Sequence, residues 1–183
     1  MRLFVGVPLP AEVRQSLGSL CSGVPGARWV DTGNMHVTLR FIGEVDSIQA
    51  EDIDAMLGDV RAPAFRLALR GVGCFDSGRK VRMVWAGVDR SDELAHLRDK
   101  VESAIVRAGF EPERRKFRPH VTLARFKNTP SARVGPYLEA HNTFAAGPFP
   151  VDRFELLRSY LGHAGARYQT IADYPLGDQG VVS

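Results

Sequence analysis

The chain is poor in the residues that build disulfide or metal scaffolds. Only two cysteines, Cys21 and Cys74, occur in 183 residues, too few for a disulfide framework, and no CxxC or Cys/His spacing suggests zinc. Nowhere does an apolar run approach the roughly 20 residues that span a bilayer. The apolar start, Leu3 to Val7, is too short for a signal-peptide core and is followed by Pro8 and Pro10, so no export signal is read there. These absences predict a reducing, cytoplasmic location with no membrane association. Excess charge is also scarce: 24 Lys+Arg against 21 Asp+Glu leaves a formal +3. A protein that coats a polyanion would carry more, so any contact with nucleic acid should be local.

What is present is an ordinary globular mixture, 44% hydrophobic and 25% charged, which excludes wholesale disorder. Leu3–Val7 reads as a buried strand. Pro10 suits the first turn of a helix carrying Val13, Leu17, Leu20, Cys21 and Val24 on one stripe, ended by Pro25-Gly26. Met35–Ile42 alternates as a second strand. Asp46 and Ser47 are candidate caps for a helix with Ile48, Ile53, Met56 and Leu57. Phe65–Arg70 and Val81–Val88 read as strands joined through the Asp76-Ser77-Gly78 turn. Ser91 is the candidate cap of a helix striped by Leu94, Leu97, Val101, Ala104, Ile105 and Ala108, and Gly109 ends it. A strand at His120–Phe126 follows, then a hairpin of Phe154–Tyr160 and Tyr168–Tyr174. Residues 176–183 lose the pattern and read as a loose tail.

Strand–helix–strand thus occurs twice, about eighty residues apart, in copies placed at roughly 1–80 and 81–175 of one bilobal domain spanning 1–183. Consecutive strands between helices favour an α+β fold with mainly antiparallel sheets, outer helices and a central cleft between two pseudo-twofold lobes. Nothing in the pattern asks for a second subunit, and a monomer is expected.

The copies share a motif: His36-Val37-Thr38-Leu39 and His120-Val121-Thr122-Leu123. With five histidines among 183 residues, chance predicts roughly 0.16 His-x-Thr matches in the whole chain. On a strand, residues i and i+2 share a face. His36 and Thr38 therefore project together, as do His120 and Thr122, with Val and Leu on the opposite side.

Two imidazoles and two hydroxyls facing one cleft suit displacement at a cyclic phosphodiester. A neutral His accepts a proton from water while a protonated His donates one to the departing oxygen. The Thr hydroxyls can hydrogen-bond the non-bridging oxygens as charge gathers there. Neither motif contains Asp or Glu, and no metal or cofactor is called for. Because the motifs are symmetric, they leave open which His gives and which takes.

These motifs, with Arg2-Leu3-Phe4-Val5-Gly6-Val7-Pro8-Leu9-Pro10, Gly71–Phe75, Val84-Trp85-Ala86-Gly87-Val88 and Leu157-Arg158-Ser159, resemble the 2H phosphoesterases, and within them the RNA 2′,3′-cyclic phosphodiesterase branch, also called 2′–5′ RNA ligases. The resemblance covers nearly the whole chain. It implies a two-lobed fold and hydrolysis of RNA or nucleotide 2′,3′-cyclic phosphate ends to 2′-phosphates. It also implies His36 as proton donor and His120 as proton acceptor. The reverse, ATP-independent 2′–5′ joining would use the same groups, and a non-catalytic RNA-binding module is the rival from another class. The resemblance further suggests base stacking by Phe41 and phosphate contact by Arg125, five residues after each His. Strand parity opposes both unless the strand bends, and favours Arg40 instead. The run Arg114-Arg115-Lys116-Phe117-Arg118 precedes the second motif and could steer a phosphate backbone. His96, His141 and His163 have no paired Thr and read as surface or structural residues, and Trp29 and Trp85 as core or rim.

Overall fold

In the computed structural model, residues 1–177 are described; tail residues 178–183, expected to be loose, lie outside them. The strands are β1 (Arg2–Pro8), β2 (Arg28–Trp29), β3 (His36–Glu44), β4 (Phe65–Ser77), β5 (Lys80–Val88), β6 (His120–Pro130), β7 (Ala145–Val151), β8 (Arg153–Gly162) and β9 (Gly165–Pro175). The helices are α1 (Ala11–Gly18), α2 (Ser47–Gly58), α3 (Asp92–Arg107) and α4 (Gly135–Ala140). Two sheets form, with strand orders β3-β1-β8-β9 and β2-β6-β5-β4-β7. All their pairings are antiparallel, so the fold is α+β as the element pattern requires.

Helix boundaries follow local chemistry. Asp46 caps α2 through a capping box with Gln49, which satisfies two backbone donors reciprocally. Ser91 caps α3, whose Asp92 and Glu93 lie in the positive first turn and Arg107 in the last. The α3 stripe of Leu94, Leu97, Val101, Ala104 and Ile105 is buried, each large side chain contributing about 1.5–3 kcal/mol. The first helix is shorter than its apolar stripe: α1 stops at Gly18, and Leu20 and Val24 are buried from the turns that follow. β2, β7 and α4 were not legible, being short or rich in Gly and Pro. Leu176 and Gly177, expected to be part of the loose tail, are instead tied down: Leu176 N–H bonds the Asp152 carbonyl and Gly177 N–H bonds that of Ala62.

The sheets do not divide the chain at residue 80. The first takes β1 and β3 from one end of the chain and the hairpin β8–β9 from the other, while the second takes the middle together with the short β2. A two-fold correspondence survives this interlocking, since β3-β1-β8-β9 matches β6-β5-β4-β7 strand for strand. β3 and β6 approach each other where the sheets meet, so the two motif-bearing strands flank one seam.

Candidate active site

His36 opens β3 and His120 opens β6, each at the mouth of its sheet. Val37, Leu39, Val121 and Leu123 are buried in the core, which turns His36, Thr38, His120 and Thr122 to the opposite face. Both rings are anchored alike. His36 Nδ1 lies 3.1 Å from the Asn34 carbonyl and His120 Nδ1 lies 2.7 Å from that of Arg118. A carbonyl only accepts, so Nδ1 carries the proton and Nε2 is left for a substrate.

Each strand then breaks its alternation at the same place. β3 pairs Thr38 with Gly6 and Arg40 with Val5, so Leu39 has no partner of its own. β6 pairs Thr122 with Trp85 and Ala124 with Val84, which leaves out Leu123. Such a bulge sends the residues beyond it to the other face. Arg40 and Ala124 consequently turn into the core, and Phe41 and Arg125 turn to the face of the histidines.

Arg40 is therefore not in the cleft, contrary to the parity expectation. It is 8% exposed and bound to Glu102 of α3, with Nη1 donating to both carboxylate oxygens at 2.9 and 2.8 Å. Its Nη2 donates to the Glu111 carbonyl at 2.7 Å and its Nε to that of Phe41 at 3.1 Å. Phe41 is 41% exposed, with the Arg2 guanidinium 5.1 Å above its ring. Arg125 is exposed and directly opposite Arg28 of β2.

The surroundings of the two rings differ. Beside His36 the neighbouring strand has Gly6, and beyond it Glu155 of β8. A side chain at Gly6 would press on the Val37 carbonyl and reach the His36 Cβ, so the glycine leaves the space between carboxylate and imidazole open. Glu155 is buried, and Thr170 Oγ1 donates to it. Edges of Phe4 and Tyr168 also flank the ring, each 6.3 Å away. Beside His120 the pattern is reversed: the neighbouring strand has Trp85, and beyond it Gly73. A Cβ at Gly73 would collide with the Trp85 indole, so only glycine lets that ring lie across β4. Phe75 stands perpendicular to His120 at 5.1 Å and Trp85 is 6.3 Å away. Trp85 is thus a wall of the His120 site, and its Nε1 is buried without a hydrogen-bond partner among the described residues.

Burial lowers both imidazoles from their ordinary value. For His36 the Asn34 carbonyl and the Glu155 charge work upward against this, with Arg14 acting downward. For His120 the Arg118 carbonyl works upward and Arg125 adds a further downward push. Among the described residues Thr122 Oγ1 donates only to the Met83 thioether at 3.4 Å, a weak partner that a phosphate oxygen would readily replace.

The basic run divides. Arg115 is held by Glu113 at 3.2 Å; hydrogen bonding to Arg115 lowers the Glu113 carboxyl to about 2. Phe117 lies under Arg98 at 5.5 Å. Arg114, Lys116 and Arg118 have no ion pair among the described residues. His96 and His163 are exposed, and His141 packs on Tyr137 at 4.6 Å. Among the described residues no cluster of three or more His, Cys, Asp or Glu could hold a metal, and no helix is long and apolar enough to cross a membrane. No motif in the sequence marks Glu155, Phe75 or Arg28, which join the site through strand pairing, or Asn34, whose carbonyl reaches His36 from the preceding turn.

Known proteins resemble this chain in sequence and in fold. The family model described as the 2′-5′ RNA ligase superfamily matches residues 9–163. A protein of Aeropyrum pernix named RNA 2′,3′-cyclic phosphodiesterase is 37% identical, over 94% of this chain and 97% of its own length. One of the same name from Archaeoglobus fulgidus is 30% identical, over 93% of this chain and 98% of its own. Among solved structures, E. coli LigT complexed with 3′-AMP aligns with a TM-score of 0.77 at 26% identity, covering 96% of this chain and 97% of that one. TT0787 of Thermus thermophilus aligns with a TM-score of 0.80 at 26% identity, over 98% and 100%. Sequence and fold agree, and the chain belongs to the 2′-5′ RNA ligase superfamily.

Proposed function

We propose that this protein hydrolyses the 2′,3′-cyclic phosphate end of RNA or of a nucleotide to a 2′-phosphate, using His36 as proton donor and His120 as proton acceptor. A water oxygen bonds to phosphorus as its proton passes to His120 Nε2. The P–O3′ bond breaks on the opposite side, and O3′ takes the proton of His36 Nε2, leaving a 3′-hydroxyl. Thr38 and Thr122 donate to the non-bridging oxygens, where charge increases along the path. Arg125 supplies a cation on the His120 side, and Phe41 a ring face for the terminal base. The names of the relatives support this substrate class.

The observation that carries the reading is the duplicated His-x-Thr pair on matched strands, each followed by the same bulge and anchored through Nδ1. The direction of proton flow rests on the neighbours of the rings. A carboxylate near His36 favours its charged, donating form, whereas a guanidinium near His120 favours its neutral, accepting form. The chemistry needs no cofactor, and the reading includes no metal. Phosphorus NMR of a 2′,3′-cyclic nucleotide with the protein and excess chelator tests it. A 2′-phosphate resonance should grow at an undiminished rate; a 3′-phosphate product, or turnover that needs added divalent metal, would overturn the reading.

A further inference from the structure

Asn34 occupies the place two residues before His36 that Arg118 occupies before His120, and both offer a carbonyl to the imidazole. Only Asn34 does more. Its Nδ2 donates to the Ala166 carbonyl at 2.7 Å, and its Oδ1 accepts from the Tyr168 N–H at 3.2 Å. Ala166 and Tyr168 lie on β9, the edge strand of the first sheet. In a strand the polar groups of residues i and i+2 point the same way, so the side-chain amide takes the place of one residue of an adjoining strand. The bonds join parts of the chain 132 and 134 residues apart.

What is clasped matters to the imidazole. Tyr168 packs edge-on against Phe4 at 4.8 Å, and both flank His36. Two residues along the same strand, Thr170 donates to Glu155. The second sheet has no counterpart: Arg118 is exposed, and its side chain makes no hydrogen bond among the described residues.

We propose that Asn34 is a positioning residue for His36, its side-chain amide pinning the edge of β9 to the turn whose carbonyl fixes the imidazole. The closing hairpin and this histidine are thereby held as one unit. Rotational freedom of the ring is removed from both sides, by the carbonyl at Nδ1 and by the Tyr168 edge. The proposal rests on the reading of His36 as the group that protonates the leaving oxygen.

The test is Asn34→Ala, with Asn34→Asp as a second variant that retains an acceptor for Tyr168 N–H and loses the donor to Ala166. Misplacement of a catalytic group by about 1 Å can cost up to about 100-fold. A fall in kcat of about 10-fold or more is therefore expected, with KM changing less than about twofold. In nitrogen NMR the His36 imidazole should lose its fixed tautomer while His120 keeps its own. Unchanged kcat with a demonstrably freed Tyr168 amide would overturn the proposal. So would a loss accompanied by equal disturbance of both imidazoles. If Asn34→Ala does not fold, Asn34→Asp decides by the same two readouts. If the native protein turns over no cyclic phosphate, the functional reading fails instead, and the imidazole spectra still judge the clasp.

Discussion

The first sheet places Gly6 next to Thr38 and Glu155 beyond it; the second places Trp85 next to Thr122 and Gly73 beyond it. Large and absent side chains have exchanged strands. One imidazole faces a buried carboxylate across an open glycine, and the other faces an indole laid over a glycine. Beyond the shared bulge the first sheet turns Arg40 into the core and Phe41 outward, while the second turns in Ala124 and turns out Arg125. The backbone repeats, so two histidines receive the same anchoring. The side chains around them do not repeat, and on the proposed reading this asymmetry assigns equivalent groups opposite tasks.

The comparison is broken most severely by removing the imidazoles. His36→Ala and His120→Ala should each lower single-turnover hydrolysis by about 10²–10⁴-fold, the usual worth of a general acid or base. In the proposed mechanism the two act in one step, so the double variant should cost little more than either single one. A single variant that keeps full activity would show that only one lobe is catalytic.

The residues after the bulges come next, and they should separate stability from activity. Arg40→Ala leaves the half-buried Glu102 carboxylate with the Glu113 N–H but without its guanidinium partner, which predicts a loss of about 1–3 kcal/mol in urea unfolding. Arg125→Ala removes an exposed cation, so stability should stay within about 0.5 kcal/mol while kcat/KM falls. If Arg40→Ala unfolded like the native protein and lost affinity for substrate instead, the inward placement of Arg40 would be wrong.

The same bulges mark where the sequence stopped being legible. Strand alternation correctly turned His36, Thr38, His120 and Thr122 to one face, because His-x-Thr spans only two residues and no irregularity intervenes. It failed at the next step, where period-two reasoning assigned Arg40 to the cleft. A signal was present in the second copy. Val121 and Leu123 are apolar at odd positions, then Ala124 and Phe126 at even ones, and all four are buried; the slip by one residue is the bulge. In the first copy a charged residue takes the slipped position, and its half-buried partner Glu102 lies 62 residues away. Asn34 and Glu155 were out of reach for the same reason. Their roles depend on β8 and β9 returning to the first sheet, a pairing between chain ends that local periodicity does not encode. The copies at 1–80 and 81–175 were drawn from sequence order, whereas the sheets interlock because hydrogen-bonding edges pair by position in space.

The finest test asks whether the exchanged neighbours set the two proton affinities. A bell-shaped dependence of kcat/KM on pH is expected, its acid limb reporting His120, which must be neutral, and its alkaline limb His36, which must be protonated. Burial lowers both groups, so the maximum should lie on the acid side of roughly 6.5. The groups acting on His36 are the Asn34 carbonyl and Glu155, which raise it, and Arg14, which lowers it. Glu155→Gln removes an upward influence. His36 then gives up its proton at lower pH, and the alkaline limb moves down while the acid limb stays. Arg125→Gln removes a downward influence on His120. That base is then protonated at higher pH, and the acid limb moves up while the alkaline limb stays. Each change narrows the bell from its own side, and the double variant should narrow it from both. If Glu155→Gln moved the acid limb and Arg125→Gln the alkaline one, the assignment of donor to the first sheet and acceptor to the second would be reversed; if both moved the same limb, the division of roles between the sheets would be wrong.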